Sequence, residues 1–234
     1  GANALVYDTG GGDPEGYNMA SMVILPYLRA RGIKRLNTLV ISHRDNDHSA
    51  GTGSLMASIP VGQLISGGDG PVLYGAQQCR AGKAWRWPSG ERFQILSPAR
   101  PDGLSSNNSS CVLQIRLGAF SLLLPGDVDT GREKQLLRYW REGLHSDVLL
   151  AGHHGSLTSS SYTWLKIVQP SYSVFSSGYR NQFSHPRPEI LERFASTGSA
   201  TFTTARDGAV ELELLPDGHI MASAFRAGMH PYWM

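Results

Sequence analysis

The 234-residue chain is long enough to bury about 70% of the surface that its unfolded form would expose, so it does not need disulfide staples. Its two cysteines exclude a disulfide scaffold, and the absence of an apolar run of about 18 residues excludes a helical membrane bundle. The formal net charge of +2 neither demands nor excludes a nucleic-acid partner.

Short β-rich runs alternate with a few helical stretches along the chain, which indicates α/β layering. In the first half, apolar patterning predicts strands at 5–7, 36–42, 61–65, 93–96, 111–117 and 120–124, and a helix at 19–31 that ends before Gly32. In the second half it predicts helices at 131–140 and 188–197, strands at 148–150 and 172–175, and an antiparallel group at 200–204, 210–215 and 220–225.

The stretches 10–16, 67–88 and 100–110 are rich in Gly, Pro, Ser or Asn and are interpreted as surface loops. Because there is no internal repeat and no long linker, residues 1–234 are predicted to form a single domain. The sequence opens directly on a strand, so we expect a domain excised from a larger protein. Cys79 and Cys111 lie in no C-x-x-C pattern and are interpreted as ordinary small buried residues.

The sharpest motif is Ser42-His43-Arg44-Asp45-Asn46-Asp47-His48, which places four potential ligands in six positions after an apolar strand. Imidazole and carboxylate together suit zinc, manganese or iron. The alternative is a solvated polar turn with a capping Asp, which does not explain both histidines.

Three later histidines and a carboxylate also follow predicted strands or precede a helix. Asp127 comes after Leu122-Leu123-Leu124, and its alternative role is to cap a turn or helix. His153 and His154 come after another strand, and His185 precedes a helix. Two adjacent histidines cannot easily ligate one ion together, so we expect one to be a ligand, with His153 favoured, and the other an acid/base or orienting group.

In this order, the motifs H-x-D-x-D-H, G-D, G-H-H-G-S and S-H-P resemble those of the metallo-β-lactamase superfamily. More narrowly, the chain resembles the carboxyl-terminal hydrolase-like domain of the ComEC family of DNA-internalisation proteins in naturally competent bacteria. The resemblance implies an αββα four-layer sandwich with a truncated first strand. It also implies one or two divalent metals, zinc or manganese, with these ligands: His43, Asp45, Asp47, His48, Asp127, His153 and His185.

The sequence departs from the superfamily pattern at two points. Asp45 stands where H-x-H-x-D-H has a second histidine, which favours harder metals such as manganese. The middle histidine is missing, because residues 49–127 contain none. In its place stands the run 105–110, where Asn107, Asn108 and Ser109 are candidates for orienting phosphate, as Ser156 is in the later motif.

The function implied by the resemblance is metal-dependent phosphodiester hydrolysis, by a nuclease that degrades the DNA strand that is not transported. Asp47 would orient the attacking water, and His154 or His185 would protonate the leaving oxygen. Arg80, Trp85 and Arg86 form a candidate DNA-binding patch, with a mixed core and solvent-exposed face as the alternative.

A hydrolase of small phosphodiesters or esters and a degenerate, non-catalytic DNA-binding module remain alternative functions. The partners implied are DNA and a transmembrane channel domain of the same inner-membrane parent protein, with this domain on the periplasmic or extracellular side.

Overall fold

A computed structural model describes residues 3–68, 73–100 and 103–227 of the chain. The chain divides into two compact units. The N-terminal unit comprises Gly1–Trp87 and Gln94–Leu113, and the C-terminal unit comprises Pro88–Phe93 and Gln114–Met234. None of the helices in the described part of the chain combines the length and apolar character that crossing a bilayer demands.

A parallel sheet forms the centre of the N-terminal unit. Its strands, in spatial order, are β1 (Leu5–Tyr7), β2 (Thr38–Ile41), β3 (Leu64–Ser66) and β4 (Gln77–Gln78). All four residues of β2 are buried, as is typical of a parallel strand covered on both faces. The strands β1 and β2 confirm the sequence prediction, and β2 delivers the first motif at its carboxyl end.

Three short helices accompany this sheet: α1 (Leu25–Ala30), which continues a π-helical turn at Ala20–Ile24, α2 (Asn46–Ser49) and α3 (Thr52–Ser58). Leu28 and Leu55 pack with Leu39 in one apolar cluster. Burying a leucine side chain stabilises the fold by roughly 1.5–3 kcal/mol relative to leaving it exposed. The predicted helix end at Gly32 is confirmed, because this residue takes a left-handed φ of +67° just after the helix.

The stretch 67–88 was predicted to be a loop, but it contains β4 and β5 (Ala84–Arg86), which precede β6 (Arg92–Ser97). These strands are too short and too close to turn residues for their patterning to stand out from the sequence. Arg86 is exposed and Trp85 is half-buried, on alternate faces of β5.

The prediction for Cys79 and Cys111 was wrong, because the two residues form a disulfide with a Cα–Cα distance of 5.7 Å. The backbone N–H of Cys79 donates to Ser66 O, and that of Cys111 donates to Ser42 O. Since β2 and β3 are neighbours, these two hydrogen bonds bring the cysteines to the same edge of the sheet despite a sequence separation of 32.

The C-terminal unit is also built on a sheet. The strands are β7 (Val112–Leu117, of which Gln114 onward belongs to this unit), β8 (Phe120–Leu124), β9 (Val148–Leu150), β10 (Tyr172–Phe175) and β11 (Ala200–Thr203). Their order within the unit is β11-β10-β9-β8-β7, and β8 to β11 are parallel. A separate antiparallel hairpin follows, β12 (Val210–Leu214) and β13 (Ile220–Ala224).

The helices of this unit are α4 (Thr130–Trp140), α5 (Tyr162–Val168), α6 (Pro188–Ala195) and α7 (Thr204–Asp207). The rings of Phe175 and Phe194 meet edge to face with centroids 4.9 Å apart. Residues 200–204 were expected to join an antiparallel group, which was wrong. The intervening α6 allows the chain to return in the same direction, so β11 pairs parallel with β10.

Candidate metal-binding groups

The parallel register of the N-terminal unit places two polar residues at one edge of its sheet. Tyr7 of β1 pairs with Val40 of β2. Asp8 directly follows β1, and His43 lies two residues past the end of β2. Carboxyl ends of parallel strands are the usual position for ligands in α/β proteins. His43 and His48 are buried, with ring centroids 4.1 Å apart.

Asp8 is the hydrogen-bond acceptor that orients both of these histidines. Its carboxylate accepts the Ser42 hydroxyl at 2.8 Å and the Ser42 backbone N–H at 2.6 Å. It also lies 2.8 Å from Nδ1 of His48. Nδ1 of His43 lies 3.0 Å from the Ser42 hydroxyl oxygen. Because Ser42 gives its one hydroxyl proton to Asp8, His43 must donate to Ser42, and the network assigns the proton of each imidazole to Nδ1.

A histidine protonated at Nδ1 carries its lone pair on Nε2, and both Nε2 atoms here lie close to a carboxylate. Nε2 of His43 is 3.5 Å from Asp45 Oδ2, and Nε2 of His48 is 3.8 Å from Asp47 Oδ2. Two ligand atoms bound to one ion at tetrahedral angles lie about 3.4 Å apart. These separations, together with oxygen partners on both Nδ1 atoms, fit a divalent metal.

The Ser/Asn run at 105–110 lies against this group. Ser106 donates its hydroxyl to the Asp45 carboxylate, and the Ser110 hydroxyl lies 3.4 Å from Nδ1 of His43. Asn107–Ser109 forms a 3-10 turn in which Ser109 is buried. The run that replaces the missing histidine therefore supports the ligands of the first motif.

The C-terminal unit repeats the arrangement at the carboxyl ends of β8 and β9. Leu123 pairs in parallel with Leu149, so Asp127 and His153 leave their strands at the same edge. The backbone N–H of His153 donates to Gly126 O at 3.1 Å, which fixes the two loops together. Asp127 is buried.

His153 and His154 both turn Nε2 toward Asp127. Their Nε2 atoms lie 3.7 and 3.6 Å from Asp127 Oδ2. Both residues have left-handed φ angles, of +49° and +55°, which turn two successive side chains toward one point at a cost of about 1–3 kcal/mol each. Nδ1 of His153 lies 3.0 Å from the Thr158 hydroxyl, and Nδ1 of His154 donates to Ser176 O at 2.7 Å. We expected one of these histidines to be a ligand and the other an acid/base or orienting group. Their distances to Asp127 do not distinguish the two roles.

His185 completes this group, with its ring centroid 5.8 Å from that of His153. Burial, followed by the neighbouring charges of His153, His154 and Arg187, lowers the pKa of His185 from its usual value. The neutral imidazole that this favours is the form that binds a metal. Close approach shapes the loop as well, since a Cβ on Gly155 would lie 2.5 Å from Pro186 Cβ.

The remaining predicted residues lie apart from these contacts or support them. The Ser156 hydroxyl is 3.1 Å from that of Thr158, which is the partner of His153 Nδ1. Ser156 therefore supports His153 through Thr158. Arg80 and Arg86 are exposed, and Trp85 faces the other side of β5 from Arg86, so Trp85 and Arg86 do not share a face of that strand.

Sequence reasoning did not assign roles to Asp8, Ser42, Thr158 and Ser176. Asp8 had a recognisable signal, because a carboxylate after the first parallel strand lies at the same edge as His43. Ser176 acts through its backbone carbonyl, which no side-chain motif reveals.

The chain is similar to proteins of one known superfamily. The family model of the Metallo-beta-lactamase superfamily matches residues 1–179. Competence protein ComA of Neisseria gonorrhoeae is 38% identical over 211 residues, which are 90% of this chain and 29% of ComA. Recombination protein 2 of Haemophilus influenzae is 37% identical over 216 residues, which are 91% of this chain and 26% of that protein. The chain therefore spans less than a third of the length of these relatives.

Among solved structures, the metallo-beta-lactamase fold protein YhfI of Bacillus subtilis superposes with a TM-score of 0.52 at 13% identity, covering 85% of this chain and 83% of YhfI. This likeness concerns the fold alone. The predicted fold class and the predicted resemblance to competence proteins are confirmed.

Proposed function

Since the chain belongs to the metallo-beta-lactamase superfamily, we propose that it is a divalent-metal-dependent nuclease domain of a competence protein, which degrades the DNA strand that is not transported. One observation carries the proposal. Four histidines place Nδ1 against an oxygen partner and turn Nε2 to within 3.5–3.8 Å of a carboxylate oxygen. Three of them, His43, His48 and His153, are proposed ligands, because an oxygen partner on Nδ1 orients Nε2 for a metal. The similarity to competence proteins supports DNA as the substrate.

The proposed ligands of one or two ions are, in the N-terminal unit, His43, Asp45, Asp47 and His48. In the C-terminal unit they are Asp127, His153 and His185. Asp45 in place of the superfamily's second histidine favours manganese, and the imidazoles also suit zinc. When bound, such ions supply Lewis acidity and make a nearby water more acidic.

Asp47, His154 and His185 are assigned different roles in the proposed reaction. The side chain of Asp47 is 57% exposed, so it can accept a proton from a solvent water and orient it. His154 donates Nδ1–H to Ser176 O, which fixes its ring and leaves Nε2 to carry a proton to the leaving oxygen. His185, with its lowered pKa, is assigned to ligation rather than to proton donation.

The parent protein is proposed to be an inner-membrane protein in which this domain works beside a transmembrane channel domain, on the periplasmic or extracellular side. The Cys79–Cys111 disulfide supports that side, because disulfides persist in oxidising compartments and are rare in the cytosol.

Cleavage of end-labelled DNA by metal-stripped protein tests the proposal, with manganese, zinc or magnesium restored separately. We expect cleavage only with added metal, and a loss of at least 100-fold in Asp47→Ala. Asp217→Ala is the matched control, because Asp217 also lies beside a histidine, 3.2 Å from Nδ1 of His219, but belongs to neither group.

Two results would replace the proposal by another function. Turnover of bis-aryl phosphodiesters without any cleavage of DNA would indicate a hydrolase of small esters. DNA affinity that persists in chelator, without cleavage under any metal, would indicate a binding module.

A further inference from the structure

The loop between β10 and α6 presents two aromatic side chains to solvent next to His185. The Tyr179 residue is 64% exposed and Phe183 is 61% exposed. A large aromatic side chain removes about 150–250 Å² from water when it packs, so two exposed rings forgo a large stabilisation. Two of them within five residues, beside a proposed metal ligand, indicate a binding surface rather than a packing accident.

The loop is held in a defined shape by Asn181. The side-chain amide of Asn181 donates to Gly178 O at 3.0 Å and to His185 O, and its oxygen accepts the backbone N–H of His185 at 2.9 Å. The backbone N–H of Ser184 donates to Asn181 O at 3.0 Å. Both aromatic residues lie on the segment that these bonds close, so the backbone that carries them is held although their side chains are exposed. Little ordering cost remains for a ligand that stacks on them.

The chemistry around each ring suits a flat, electron-rich ligand with phosphates attached. The ring of Phe183 stacks on that of His185, with centroids 5.7 Å apart and planes 27° apart. Phe183 is nevertheless 61% exposed, so most of its side chain remains accessible to solvent. The guanidinium of Arg180 lies 5.2 Å from the ring centroid of Tyr179, so a cation accompanies the second ring.

Charge in this part of the chain permits a polyanion. No Asp or Glu occurs in residues 148–188, whereas Lys166, Arg180 and Arg187 carry positive charge. A phosphate backbone is therefore not repelled by any carboxylate of this segment.

We infer that Tyr179 and Phe183 form a stacking platform for unpaired nucleobases, and that the ligand of this surface is single-stranded DNA. Bases in a duplex are paired and stacked on each other, so they cannot lie flat on exposed rings, whereas the bases of a single strand can. The assignment to DNA rather than RNA rests on the proposed function; the stacking itself rests on the loop alone.

Binding without cleavage tests the platform independently of nuclease activity. The full 234-residue chain is titrated, in EDTA, against fluorescently labelled 15-nucleotide oligomers of thymidine, of abasic sites, of uridine, and a duplex. We expect the thymidine oligomer to bind more tightly than the abasic one, which has the same phosphate charge but no bases. Tyr179→Ala and Phe183→Ala should each weaken thymidine binding by roughly 5- to 100-fold and leave abasic binding unchanged.

Conservative and matched variants separate stacking from a structural effect. Tyr179→Phe and Phe183→Tyr retain an aromatic ring and should keep the preference for thymidine over abasic oligomers. Tyr139→Ala is the control, because Tyr139 is 80% exposed on α4 and should not affect binding. Since Phe183 contacts His185, Tyr179→Ala gives the cleaner result.

Equal affinity for thymidine and abasic oligomers, or undiminished binding by Tyr179→Ala, would overturn the platform. Tighter binding of the uridine oligomer or of the duplex would overturn single-stranded DNA as the ligand. If the protein cleaves no DNA but still prefers bases through Tyr179, only the proposed nuclease function fails. If it cleaves DNA but shows no preference for bases, only the platform fails.

Discussion

Asp8 is the residue on which the geometry of the N-terminal ligand group depends. Its carboxylate accepts hydrogen bonds from Ser42 and His48, and through the Ser42 hydroxyl it also fixes His43. A carboxylate that orients a ligating histidine is commonly as important for metal affinity as a ligand.

We therefore expect Asp8→Asn to weaken manganese or zinc binding by roughly 10- to 100-fold while the protein remains folded. One carboxylate oxygen of Asp8 accepts from the Ser42 hydroxyl and from His48, and the other accepts the Ser42 backbone N–H. The amide nitrogen of Asn cannot accept, so one of these two positions loses its acceptor. Competition with a chromophoric chelator measures the affinity, and Asp13→Asn, an exposed carboxylate of the same unit, is the control. Unchanged affinity in Asp8→Asn would show that the histidines are oriented without it.

Glu133 is a buried carboxyl group that holds the loop next to His153 in the C-terminal ligand group. It accepts the backbone N–H groups of Ser160 and Ser161 at the start of α5. The same loop carries Thr158, whose hydroxyl lies 3.0 Å from Nδ1 of His153. Burial raises the pKa of Glu133 above 4.5, against the opposing effect of these hydrogen bonds and of Arg193.

This shift predicts how stability depends on pH. A carboxyl with a raised pKa in the folded state contributes stability that is fully present below its unfolded value and is lost as pH rises through its folded value. Glu133→Gln cannot ionise. The free energy of unfolding of the wild type, relative to Glu133→Gln, should therefore fall as pH rises from 4.5, as measured by urea unfolding at a series of pH values. A difference that grows with pH would mean that the two backbone N–H groups outweigh burial.

At the scale of elements, parallel strand pairing explains why residues far apart in sequence form each ligand group. β1 and β2 bring Asp8 to His43, and β8 and β9 bring Asp127 to His153. Ligand residues of each unit sit on loops that leave adjacent carboxyl strand ends, so the rigid sheet determines their separation.

The Cys79–Cys111 disulfide links the segment after β4 to the residue before β7, next to the Ser/Asn run that contacts Asp45 and His43. A cross-link over 32 residues stabilises a fold by about 3–4 kcal/mol through the lost entropy of the unfolded chain. Reductant should therefore lower the urea midpoint of the wild type. The Cys79→Ser, Cys111→Ser double variant should already be destabilised and should not respond to reductant. A wild-type midpoint that is insensitive to complete reduction would contradict this.

At the scale of the whole molecule, the sequence predicts the parts that depend on local patterning. The strands at 5–7, 120–124, 148–150 and 172–175 were predicted with the bounds that the structure has, because apolar runs there meet clear turn residues. The motifs that carry Asp127 and His153 follow two of these strands. His43 follows β2, which was predicted at 36–42 and spans Thr38–Ile41.

Features that depend on contacts between distant segments were not predicted. α3 and α5 are each seven residues long and begin among small or polar residues, so their periodicity is too brief to be recognised. The disulfide, the parallel pairing of β11 and the role of Asp8 each require knowing which strands are neighbours. The exposure of Tyr179 and Phe183 likewise depends on how Asn181 closes the loop.

Activity is proposed to depend on metal held by the two His/carboxylate groups. Equilibrium dialysis of Mn²⁺ tests it most directly when metal content and DNA cleavage are measured on the same samples of wild type, His48→Ala, Asp127→Asn and the control His219→Ala. We predict that wild type and the control retain one or two ions per chain, and that metal content and cleavage rate fall together by at least tenfold in the other two variants. Full manganese content and full cleavage in both His48→Ala and Asp127→Asn would contradict the account.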